Sequence, residues 1–160
     1  MKRLLTYLLA VSVVTIATAQ DEPKLNVQEL LETKNFVFKA ESVNPARGRY
    51  RQLTSEYDVV VTPDTITTFL PYFGRAYSAP INPADGGIKI STHKFEYSVK
   101  KGRKDRWDVS VRPKDSQEVQ DLFFTIFSNG RATLRVNSVN RETITFNGHI
   151  VEGKAGKKAF

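Results

Sequence analysis

Apolar and polar positions follow three regimes along this chain. Residues 4–19 carry no charge and are dominated by Leu, Val and Ile. Val27, Leu30 and Leu31 then fall at i, i+3 and i+4, which aligns them on one face of a short helix. Asn26 stands at the cap position with Glu29 three residues on, as in a capping box. After Lys34 the spacing becomes two, the period of a strand with one buried face.

From there the pattern predicts strands only. Residues 35–42 alternate with Phe36 and Phe38 on one face, and residues 57–61 are rich in β-branched side chains. Thr62-Pro63-Asp64 reads as a turn, and residues 65–70 return from it. Residues 88–100 form a long strand or a bent pair. Residues 101–105 are a hairpin tip, after which Trp107, Val109 and Val111 alternate with Asp108, Ser110 and Arg112. Residues 121–127 are nearly all apolar and belong inside the sheet. Asn129-Gly130 is the strongest turn signal, because both residue types tolerate positive φ. Ala132, Leu134 and Val136 alternate next, and residues 142–146 and 149–151 close the domain around a turn at Asn147-Gly148. Strands at this spacing predict an all-β fold: an antiparallel meander curled into a small barrel or sandwich, with one short N-terminal helix.

The ends set the expected compartment. Lys2 and Arg3 precede the apolar run, Ala17-Thr18-Ala19 offers small residues for cleavage, and Asp21-Glu22 follows. That is the layout of a signal peptide over residues 1–19. The run is shorter than the roughly 20 residues of a membrane span. The expected organisation is therefore a signal peptide at 1–19, an N-terminal segment with a short helix at 20–34, one β domain at 35–152 and a basic tail at 153–160. With no cysteine to lipidate or cross-link, the protein is expected to be periplasmic or secreted, unanchored, and stabilised by its core. No transmembrane segment is expected after cleavage. Loss of Lys2 and Arg3 with the leader lowers the net charge from +7 to +5. In an exported protein that balance points to anionic lipid or glycan surfaces or to solubility, and no nucleic-acid partner is expected.

One segment departs from strand chemistry. Residues 70–80, LPYFGRAYSAP, place three aromatics, two prolines and an arginine at the end of a strand, and about 17 residues pass before the next one. This segment, the following DGGIKI, the later FSNGRATLRVNS and the closing NRETITFNGHI resemble the bacterial domain of unknown function 4251 family. The resemblance runs from Leu30 to Val151. It implies an exported, β-rich protein, usually with a signal peptide or lipoprotein signal, and it implies no activity or catalytic residues.

The aromatic segment admits two readings. Tyr72, Phe73 and Tyr77 can line an apolar pocket with Arg75 at its mouth to hold a carboxylate or phosphate. Alternatively the rings plug the end of the sheet and Arg75 bonds loop carbonyls or a carboxylate. The remaining chemistry is sparse. His93 and His149, far apart and without cysteines, make a poor metal set, so no metal or cofactor is expected. No serine lies in a G-x-S-x-G context, and carboxylate pairs cannot be chosen from 17 acidic residues without geometry. Lys100, Lys101, Arg103, Lys104 and Arg106 read as a solvated turn or a lipid contact. Arg141 and Arg131 read as structural, pairing with carboxylates or loop carbonyls. The leading functional expectation is a non-enzymatic binding domain for a small apolar or amphipathic ligand, held in a slot inside the curled sheet. A module for envelope protein interaction or structure is the second, and a hydrolase the third.

Overall fold

A computed structural model describes residues 25–77 and 86–153. The expected signal peptide, most of the basic tail and part of the long aromatic connection lie outside the described residues.

The helix forms where its spacing places it. α1 spans Val27–Glu32, and Val27, Leu30 and Leu31 are its buried face. The Asn26 side chain accepts from the Glu29 N–H at 3.3 Å, and the two side chains bond to each other at 3.0 Å, a variant of the expected box. Lys34 at φ 54° turns the chain out of the helix and into the sheet.

Among the described residues nine strands follow: β1 (Phe36–Pro45), β2 (Arg51–Val61), β3 (Ile66–Leu70), β4 (Ile88–Thr92), β5 (Phe95–Lys101), β6 (Arg106–Pro113), β7 (Val119–Phe127), β8 (Arg131–Ser138) and β9 (Ile144–Glu152). They make one antiparallel sheet in the order β4-β3-β2-β1-β9-β8-β7-β6-β5, curled into a nearly closed barrel. Every neighbour is a hairpin partner except β1 and β9, which join the two halves. The barrel's seam lies between β4 and β5, which are consecutive in sequence. Residues 88–101 are thus a bent pair whose first half pairs with β3 and whose second half pairs with β6. Thr92 holds the bend, with its Oγ1 donating to Asp115 Oδ1 at 2.6 Å and accepting from the Lys94 N–H at 2.9 Å.

Alternation builds the core. Phe36 and Phe38 of β1 each meet Phe124 of β7 edge to face, with centroids 5.8 Å apart. Phe146, Leu122, Leu134 and Ile126 join them with no exposed surface. Side chains that expose nothing adjoin no void large enough for water. The slot expected inside the curled sheet is therefore filled here by Phe36, Phe38 and Phe124, because opposed rings span the distance between the barrel walls. α1 packs on one end, where the Tyr97 hydroxyl donates to the Leu31 carbonyl at 2.8 Å.

Two sequence expectations are corrected and one turn is refined. Asn147-Gly148 is no turn: β9 runs through it, pairing Gly148 with Ala40 on one side and Ala132 on the other. The turn expected at Asn129-Gly130 is present, with Gly130 alone of the two at positive φ, 80°; paired positive φ values occur at Lys104 (59°) and Asp105 (47°), in the β5–β6 hairpin. β2 begins at Arg51, six residues earlier than its β-branched run suggested, because residues 51–56 are strand with little burial and so carry no alternation.

Candidate functional site

The aromatic connection leaves β3 at buried Leu70 and lies against the β8–β9 loop. The Tyr77 N–H bonds the Asn140 carbonyl at 2.8 Å, the Glu142 N–H bonds the Arg75 carbonyl at 3.1 Å, and Ala76 bridges to Arg141. Tyr72 is locked by this pairing. Its hydroxyl lies 2.7 Å from the Arg75 carbonyl oxygen and 3.0 Å from that of Glu142, and its ring stacks under the Arg141 guanidinium at 4.9 Å. Burial, then the nearby Glu142 carboxylate, push its pKa up. Gly74 is required by the close approach, since a Cβ there would meet the Tyr72 hydroxyl at 2.6 Å.

Arg141 is the hub of this end. Its side chain is only 10% exposed, and its Nε lies 2.7 Å from Glu118 Oε1. One terminal nitrogen donates to the carbonyls of Gly86 and Gly87 at 3.3 and 3.2 Å. The ion pair and the loop-carbonyl bonds expected of this residue are both present.

The four residues singled out in the sequence therefore part company. Tyr72 packs against the core, beside Arg141 rather than Arg75. Phe73 is 40% exposed and carries the Arg51 guanidinium 4.9 Å from its ring centroid. Arg75 is exposed and engages its neighbours through its carbonyl. Tyr77 is 72% exposed. Ser78 to Asp85 of this connection fall outside the described residues.

A second feature lies on the outer wall. Between the pairs Ala40–Tyr57 and Ser42–Gln52, β2 carries four residues and β1 carries one, Glu41. The same step in β1 shifts its pairing with β9. A ladder interrupted in this way bends the strand and re-aims side chains. The opening is a groove of about 440 Å³ lined by Lys39, Glu41, residues 52–57 and His149. That size suits a small ligand. Half-buried Leu53 and Tyr57 give it an apolar floor, and Thr54, Ser55 and Glu56 give it a polar, exposed side.

The bulge also assembles charge. The Glu41 carboxylate receives Arg131 at 2.8 Å and meets His149 Nδ1 at 2.7 Å. Arg131 is thus the pairing residue the sequence suggested. The His149 hydrogen bond, with the Arg131 charge, holds the Glu41 carboxyl below its ordinary 4.5. Because the folded value is depressed, this contact stabilises above the unfolded value and is lost as pH falls through the lowered one. Glu41→Gln is expected to be less stable than wild type at about pH 7 and to converge on it as pH falls through the lowered Glu41 value, as read by urea unfolding. A gap that stays constant across that range would show that the carboxylate has no such part.

Glu41 and His149 resemble the orienting half of a nucleophilic site. The hydrogen bond that His149 makes here is the one to Glu41, and the groove hydroxyls of Thr54 and Ser55 are not among its partners. His93 is occupied elsewhere, with Nδ1 2.9 Å from Thr65 Oγ1 and 3.1 Å from the Asp64 carbonyl oxygen. Among the described residues no three His, Asp or Glu side chains gather as a metal site, and no helix is long and apolar enough to cross a membrane. Sequence reading missed the groove. The only trace was the unpatterned polar run of residues 51–56.

The fold and its surface define a small antiparallel β-barrel with a packed interior and external features. The model of the domain of unknown function DUF4251 matches residues 19–150, and the chain belongs to that family. A crystal structure of a DUF4251 family protein from Bacteroides eggerthii is similar, with a TM-score of 0.56 at 18% identity. The match covers 78% of this chain and 84% of that one. At that identity the likeness establishes the fold alone. No curated protein matches the chain.

Proposed function

We propose that this chain is an exported, non-enzymatic binding domain that holds a small amphipathic ligand on its outer wall, in the groove where the β1–β2 ladder opens. The observation that carries the reading is the four-against-one interruption opposite Glu41. It withdraws a stretch of β2 from regular pairing beside a half-buried Leu53 and Tyr57. An apolar portion would rest on those two side chains, and a polar portion would face Ser55, Glu56 and His149. Export rests on the charged start, apolar run and small-residue cleavage pattern of residues 1–19.

Native mass spectrometry of the protein isolated from the cells that make it tests this reading. The expected spectrum shows a chain beginning at Gln20 with a small extra mass that is lost on denaturation. Leu53→Trp, which fills the groove, is expected to lose that mass while staying folded. A mass retained by the variant, or a bare native chain, would contradict the reading. A second polypeptide in the spectrum would instead favour an interaction module, for which the unpaired edges of β4 and β5 at the seam are the structural argument.

A further inference from the structure

The barrel end that carries the β1–β2 loop and residues 71–77 is rich in arginine and exposed rings. The loop after Pro45 runs Ala46-Arg47-Gly48-Arg49-Tyr50 into Arg51. Tyr50 is 60% exposed, and Arg49 and Arg51 are exposed beside it. Two contacts join this loop to the aromatic connection. Arg51 lies on the ring of Phe73, and Arg47 Nε sits 3.6 Å from Glu142, whose N–H holds the Arg75 carbonyl. Arg75, Phe73 and Tyr77 thereby share one surface with the loop arginines. Glu142 is 9% exposed and offsets Arg47; among the described residues no carboxylate pairs with Arg49, Arg51 or Arg75.

We propose that this end of the barrel docks on an anionic phospholipid surface. Guanidinium forks match phosphate oxygens in pairs, and amphipathic rings settle at headgroup depth. Arg49 and Arg75, with no carboxylate partner among the described residues, and the exposed Tyr50, Phe73 and Tyr77 supply both groups on adjoining loops. Basic residues near such a surface each strengthen binding, and the attraction falls off within a Debye length. A nucleic acid is a poorer match. Arg51 already covers one face of Phe73, which leaves less of that ring to stack on a base. The opposite end of β5 and β6 carries a second basic cluster, Lys101, Arg103 and Lys104, with Trp107 buried beneath it. That tip carries one exposed ring, Phe127, against Tyr50, Phe73 and Tyr77 at the other end, and serves as an internal control for charge.

The test is co-sedimentation of the protein, as isolated from the cells that make it, with phosphatidylcholine vesicles with and without phosphatidylglycerol. Binding is expected only when phosphatidylglycerol is present and is expected to weaken with added salt. Arg49→Ser/Arg75→Ser is expected to bind roughly 25-fold more weakly, at about fivefold per charge removed. Phe73→Ser/Tyr77→Ser is expected to bind more weakly at unchanged net charge. Arg103→Ser/Lys104→Asn, which removes the same charge from the other tip, is expected to bind as wild type. All six positions are exposed, and thermal melts of each variant confirm the fold before binding is compared. Equal binding to both vesicle types would overturn the proposal. So would no binding to phosphatidylglycerol, or equal losses in the two charge variants. Soluble heparin or DNA bound as tightly as vesicles, with the ring variant unaffected, would overturn it in favour of a general polyanion contact.

Discussion

Phe124→Ala is expected to destabilise the domain by about 3 to 5 kcal/mol, the range for deleting a fully buried ring. Phe124 has no exposed surface and receives the edges of Phe36 and Phe38 from across the barrel. Truncation would leave a void that these neighbours cannot close, because both are fixed on β1, which is paired on both sides. The loss should appear as a lower urea midpoint at unchanged slope, and as a fall of roughly 10 to 20 °C in melting temperature. A shift of only a few degrees would mean that the walls collapse inward and that the interior is less rigidly filled than the ring geometry indicates.

Gly148→Val tests the closure of the sheet, and here two effects oppose each other. Strand propensity favours the substitution by up to about 1 kcal/mol, since valine suits a strand and glycine does not. Geometry forbids it. A Cβ at residue 148 would fall well inside contact distance of the Lys39 carbonyl oxygen and close to Ala40, at the bulge where β1 meets β9. Backbone cannot swing aside as a flexible side chain can. We expect a loss of about 3 kcal/mol or more, overpacking at the upper end of its usual range. Thermal denaturation decides the sign, and a stabilised variant would show that the bulge can reshape freely.

That same position shows where sequence reading reaches its limit. Asn-Gly signals a turn because its residues tolerate positive φ, but Gly148 answers a different demand: room for the neighbouring strand's backbone. The two demands put the same letters in the chain, and only the register of β1 against β9 separates them. Positions governed by local physics were legible. The α1 face and the alternation in β6 follow from spacing within one element, while residues 88–100 were legible as strand and only pairing with β3 and β6 fixed the bend. The groove was not legible, because it depends on a ladder mismatch between strands about ten residues apart, and the strand that opens it is polar and unpatterned. The aromatic segment stood out by composition, yet composition could not say which arginine meets which ring. Arg141, about 70 residues downstream of Tyr72, takes the place that adjacency suggested for Arg75.

The order of strands has a consequence for how the protein is made. Each strand from β1 to β4 and from β5 to β9 can pair with its predecessor as soon as both exist, but β1 must wait for β9. The central ladder of the sheet therefore joins the first strand synthesised to the last. Until residues 144–152 have emerged, β1 keeps one unpaired edge and Phe36 and Phe38 lack part of the wall that covers them. Closing so long a loop is entropically costly, so the β1–β9 ladder forms later than the hairpins on either side of it. The wall around Phe36 and Phe38 is complete only once β9 lies against β1, so the core cannot be fully covered before that strand is available.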